Sequence, residues 1–182
     1  LVAQIVAKTD GVPLFVEELT KAVLETGLLC EKGDRYVLEG PLPPLAIPDT
    51  LHGSLLARLD RLAPVKEVAQ IGAVIGREFD RGLLAAIADM EEGRLADALH
   101  QLVEAELVLP RGVPPETTYA FKHMLVQEAA YGSLLKDRRQ QLHARIADEL
   151  ERRSPETATA RPEVLAHHLT EAGLAERALE FW

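Results

Sequence analysis

Apolar residues first recur along this chain at helical spacing, then in short paired runs, and then at helical spacing again. Phe15, Leu19, Val23 and Leu24 share one helical face, with Glu17, Glu18 and Lys21 read as solvated positions. Asp10-Gly11 closes a preceding helix, because glycine accepts the left-handed C′ conformation without a Cβ clash. Pro13 suits the first turn of the next helix, where the missing N–H costs nothing, and Gly27 ends that helix. Leu28-Leu29-Cys30 and Tyr36-Val37-Leu38 flank a polar turn, which predicts a β-hairpin. Gly40-Pro41-Leu42-Pro43-Pro44 and Pro48 exclude a helix interior, so 41–49 reads as an extended linker.

Beyond the linker the helical period returns. Leu51, Leu55, Leu59 and Leu62 form a stripe with Asp49 or Thr50 as N-cap. Pro64 opens a helix carrying Val68, Ile71 and Ile75, within which Gly72 marks a close helix contact. Leu83, Leu84 and Ile87 define a short helix, and Leu95, Leu99, Leu102 and Val103 a longer one. Leu107-Val108-Leu109-Pro110 and Thr118-Tyr119-Ala120-Phe121 bracket a Gly/Pro loop and predict a second hairpin. Three short helices followed by a two-stranded wing make the winged-helix order over residues 64 to 122. Leu125, Ala129 and Tyr131 continue in a helix, and Leu142, Ile146 and Leu150 mark another. Val164, Leu165 and Leu169, then Leu174 and Ala178, suggest a helix pair divided by Gly173, like the first unit of a helical repeat.

The expected fold is therefore mainly α. Residues 1–40 form a helical segment with a β-hairpin, 41–49 a Pro-rich linker, 50–122 a winged-helix-like domain and 123–182 a helical, tetratricopeptide-like arm. Both ends read as cut through helices, which suggests a segment of something larger.

Charge narrows the function. Acidic residues outnumber basic ones by 29 to 20, for a net charge of -9 and a pI near 5.2. Phosphate backbones demand clustered Lys and Arg, so a primary nucleic-acid role is disfavoured. The most basic stretch, 136–153, is only +2 net, and the third helix of the winged-helix order is acidic where a recognition helix would be basic. A winged-helix DNA-binding module of a transcriptional regulator remains the alternative reading. One cysteine cannot form an intrachain disulfide, and no apolar run approaches the roughly 20 residues of a membrane span. A cytoplasmic location is expected.

Chemistry-bearing motifs are absent from the sequence: there is no G-x-x-x-x-G-K-[ST], no G-x-G-x-x-G and no H-E-x-x-H. His167-His168 are helix neighbours read as pointing in different directions, His143 reads as structural, and no metal site is expected. No catalytic residue is expected in this chain.

The order of the motifs resembles that of one family. Thr9-Asp10-Gly11-Val12-Pro13-Leu14-Phe15-Val16-Glu17-Glu18-Leu19 resembles the helical segment that follows the nucleotide-binding domain in STAND-type AAA-like ATPases. Those are large bacterial regulators, often carrying class III adenylate/guanylate cyclase or LuxR-type domains. Ile47-Pro48-Asp49-Thr50-Leu51, Leu59-Asp60-Arg61-Leu62, Ala73-Val74-Ile75-Gly76-Arg77-Glu78-Phe79 and Phe121-Lys122-His123 with Glu128-Ala129-Ala130-Tyr131 and Leu142-His143 are similar in the same order. The resemblance implies that Gly11 and Pro13 pack near the adenine of a nucleotide held by a preceding domain. It implies that His123 reaches the β-phosphate of bound ADP, beside the dipole of a helix N-terminus. It also implies ATP or ADP as the parent's cofactor, with none in this segment alone. The partners would be the preceding domain and following repeats in cis, and a protein on the helical arm.

Overall fold

The computed structural model describes residues 5–6, 9, 12–25, 29–32, 35–38, 50–112, 117–153 and 161–182. Gly11, Gly27, Asp49 and the 41–49 linker lie outside them. As the periodicity predicts, the chain is mainly α-helical with short antiparallel strands, and it divides into two compact units, Leu1–Arg61 and Leu62–Trp182.

In the first unit, helix α1 (Pro13–Glu25) packs on α2 (Leu51–Arg61) through Leu19, Val23, Leu55 and Leu59, all fully buried. Thr50 caps α2, its Oγ1 accepting the Gly53 N–H at 3.0 Å. Strands β1 (Leu29–Lys32) and β2 (Arg35–Leu38) pair antiparallel, Leu29 opposite Leu38. Glu18 is not the solvated position its sequence neighbours suggest. It is buried, and Arg58 Nη1 donates to both its carboxylate oxygens at 3.1 and 2.9 Å. Residue 18 sits one position from Leu19 on the face that meets α2, so its charge is retained in the core only because Arg58 comes with it.

The second unit is built around α3 (Ala63–Ile75), opened by a proline in its first turn and buried along Val65, Val68, Ile71 and Val74. Then follow β3 (Glu78–Asp80), α4 (Arg81–Ala88), α5 (Glu92–Glu104), β4 (Val108–Arg111) and β5 (Thr118–Phe121). The sheet order is β3-β5-β4, all antiparallel, with Phe79 opposite Tyr119 and Val108 opposite Phe121. Helix, strand, helix, helix and a hairpin whose last strand pairs with the first is the winged-helix arrangement. The sequence reading had a two-stranded wing; β3 is the third strand, three residues long and too short to display a period of two. Asp80 ends it and caps α4, its Oδ1 accepting the Leu83 N–H at 2.8 Å.

Gly72 does mark a close approach, but the neighbour is a strand residue. A Cβ there would lie 2.9 Å from the Phe79 ring, which stacks on Tyr119 at 5.9 Å and tilts against Phe121 at 5.5 Å.

Helices α6 (Met124–Gly132), α7 (Lys136–Arg153), α8 (Pro162–Glu171) and α9 (Ala175–Leu179) complete the unit. α7 rests on α3 near its start, where Arg138 pairs with Glu67 at 3.3 Å, and on α4 near its end, where Arg153 lies over Gly82. Ala147, Leu165, Leu169 and Ala178 form the core between α7, α8 and α9. Gly173 turns the chain between α8 and α9 with φ 78°. Its N–H reaches the Thr170 carbonyl and the Leu174 N–H reaches the Leu169 carbonyl, both at 2.9 Å, which is a Schellman cap. No helix among the described residues is long and apolar enough to cross a membrane.

Candidate functional site

Of the three residues singled out from the resemblance, Gly11 lies outside the described residues. Pro13 is exposed at the first position of α1. His123 is in the second unit, in extended conformation (φ −134°, ψ 144°) between β5 and α6. It occupies the N-cap position and its carbonyl accepts the Val126 N–H at 3.0 Å, but its side chain does not cap the helix. Caps favour short oxygen-bearing side chains that accept a first-turn N–H, and imidazole here leaves that end of the dipole open. Its Nε2 is buried with no hydrogen-bond partner among the described residues. An orphaned buried polar atom costs about 1–3 kcal/mol.

A second constellation lies where α6, α7 and α8 meet the end of α3. Along α7, His143 sits one position from Leu142 and three from Ile146; along α8, His168 stands beside Leu169 and three positions after Leu165. Both therefore turn inward with the apolar stripe, at 1% and 2% exposure. Their Nδ1 atoms are 2.8 Å apart, and His143 Nε2 is 3.2 Å from the Tyr131 hydroxyl, which donates to Glu171 Oε2 at 3.4 Å. The His167 ring stands 5.5 Å from that of His168 and 5.8 Å from that of His143. The helix neighbours differ in direction, His168 buried and His167 exposed, yet both rings lie beside that of His143, at 5.0 and 5.8 Å.

Burial, reinforced by His167 and opposed by Glu171, holds His143 down to about 4. Burial, with His143 and His167 adding to it, holds His168 at about 3. Tyr131 is raised, chiefly by burial and then by Glu171, while Arg139, with its guanidinium 4.9 Å from the ring centroid, opposes. A cavity of about 700 Å³ opens over this cluster, with Val74, Met124 and Val164 among its apolar lining and Glu128, Glu163 and Glu171 among its polar lining. The sequence held one usable signal: two histidines embedded in apolar stripes of separate helices each need a buried partner, and each is the other's.

No family model matches this chain. An uncharacterized protein of Rhizobium meliloti (strain 1021) is 32% identical over 172 residues, covering 94% of this chain. That stretch is 16% of the relative, so the chain spans about a sixth of that protein's length.

Proposed function

We propose that this chain is a non-catalytic regulatory segment of a multidomain STAND-type signalling ATPase, related to the cyclase-bearing regulators. It would couple nucleotide state in a preceding domain to an output domain. Lid, winged helix and helical arm are the parts, and Pro13 and His123 are the residues that would answer to nucleotide, with Gly11 beside Pro13.

The observation that carries this reading is His123. A ring nitrogen buried without a partner loses no hydrogen bond when the ring turns to another, and the ring stands at a helix end that favours an anion. A phosphate oxygen fits that need, since imidazole can supply one N–H donor in its neutral form. Contacts that differ between two nucleotide states are what a switch requires.

The alternative, a winged-helix DNA-binding module, has the topology on its side and the charge against it. Along α5 the exposed charged positions are Glu92, Asp97 and Glu104 against Arg94 alone. Phosphate contacts would require the reverse balance.

The test is calorimetric titration of ADP into the parent protein, as wild type and as His123→Ala. Weakening by roughly tenfold or more is expected for loss of a bond to a charged group. Equal affinity in the two proteins would remove His123 from the switch. The 182-residue chain by itself is expected to bind ADP negligibly.

A further inference from the structure

The cavity over the histidine cluster has a polarity that its hydrogen bonds determine. The Tyr131 hydroxyl donates to Glu171 Oε2 at 3.4 Å. The Tyr131 oxygen, which also takes a side-chain hydrogen bond from Arg139, has a second lone pair to accept from His143, which places the His143 proton on Nε2 and leaves its Nδ1 bare. A bare Nδ1 at 2.8 Å from His168 Nδ1 requires the proton on the latter, and the Nε2 of His168 is left as an acceptor. Both rings are neutral near neutral pH, as burial dictates. The chain of four groups therefore runs one way, from a lone pair on His168 to a carboxylate at Glu171.

That order makes both ends of the chain acceptors. Glu128 and Glu163 add two further carboxylates to the lining, and no lysine or arginine is among the described residues that line the cavity. Arg139 is the nearby cation: from α7 it hydrogen-bonds Tyr131 and its charge also bears on His143, while its Nε donates to the Leu134 carbonyl at 3.0 Å. It is not among the described residues that line the cavity, where Glu128, Glu163 and Glu171 face no cation. The surroundings are apolar, with Met124 56% and Val164 36% exposed. The volume falls in the range of small-molecule sites, roughly 300–1,000 Å³.

We propose that this cavity is a binding site for an organic cation, an ammonium or guanidinium group carried on an apolar body. The charged head takes Glu171 and the His168 acceptor; the body lies against Val74, Met124 and Val164. The cation could arrive as a free amine or as a lysine or arginine side chain of a partner. This site does not depend on the nucleotide reading and survives its failure.

The experiment uses the full 182-residue chain, labelled with 15N, and follows the imidazole signals of His143 and His168 by NMR. The probes are hexylammonium chloride, 1-hexanol, sodium hexanoate and the peptide N-acetyl-leucyl-arginyl-leucinamide. Saturable binding of hexylammonium, at least about tenfold tighter than hexanol or hexanoate, is expected, with both ring signals shifting. Glu171→Gln is expected to weaken it by about tenfold while leaving Trp182 fluorescence unchanged. Tyr131→Phe, which breaks the chain but keeps the ring, is expected to weaken it as well. The peptide binding tighter than hexylammonium assigns the cation to a partner's side chain; the reverse assigns it to a free amine. Equal binding of the three hexyl probes, no saturation, or full affinity in both variants overturns the proposal.

Discussion

Acidification should unfold the second unit earlier than its carboxylates alone would require, because of His143 and His168. In the folded chain the two rings titrate at about 4 and about 3. In the unfolded chain each returns to about 6.5. Folded values that lie below unfolded ones mean that the unfolded state binds more protons as pH falls. The contribution of the pair is thus complete above about pH 6.5 and is lost on descent from there toward the folded values. Each pH unit below the unfolded value removes about 1.4 kcal/mol per histidine, so going from about pH 7.5 to about pH 5 removes about 2 kcal/mol from each and about 4 from the pair. That sum needs only that both rings stay neutral when folded at the lower pH. The assay is urea unfolding at those two pH values for the wild type and for a His143→Gln, His168→Gln double variant. Trp182, the sole tryptophan, lies in the second unit, with its indole N–H donating to Thr170 Oγ1 at 3.3 Å, and its fluorescence reports on that unit separately. The wild type should lose about 4 kcal/mol more than the variant over the interval. Equal losses would show that the rings are solvated in solution and would refute the reasoning.

Other outcomes follow from the packing. Gly72→Ala should destabilise by about 1–3 kcal/mol despite alanine's helix propensity, because its Cβ meets the Phe79 ring; a raised melting temperature would contradict the contact. Arg58→Met should cost about 3–5 kcal/mol by stranding Glu18, and Glu18→Leu added to it should recover most of the loss, as circular dichroism melts of the first unit would register. Gly173→Ala should cost about 1 kcal/mol through its left-handed φ, since the nearest side-chain atom leaves room for a methyl at 3.6 Å. A labelled DNA duplex mixed with the chain at about 0.1 M salt should show no retardation; a shift that weakens with salt would restore the DNA-binding alternative.

The helical elements were legible because their apolar positions repeat over several turns. Leu95, Leu99 and Leu102 define α5 by themselves, Thr50 is one of the two N-cap candidates the sequence offers for α2, and Gly173 marks the break between the last two helices. β3 was not legible, since three residues carry no period and its place depends on pairing with a strand nearly forty positions later. Glu18 reads as solvated and is not, while His143 is structural as its place beside Leu142 and Ile146 suggests; what the sequence hides in both cases is the partner. For Glu18, charge argues locally for solvent, and only Arg58, forty positions away, reverses that preference; His143 and His168 likewise find in each other a partner that no local pattern names. Of the candidate site residues, His123 was found through a resemblance of motifs. Tyr131, His143, His168 and Glu171 come together only when α6, α7 and α8 fold onto one another.

Helix α7 is about 27 Å long, at 1.5 Å per residue. It is fastened to the winged-helix part at two well-separated points, on α3 near one end and on α4 near the other. A beam fixed at two stations cannot pivot about either. The α8–α9 pair carried on it is therefore held to the orientation of the α3–α4 corner of the winged-helix part.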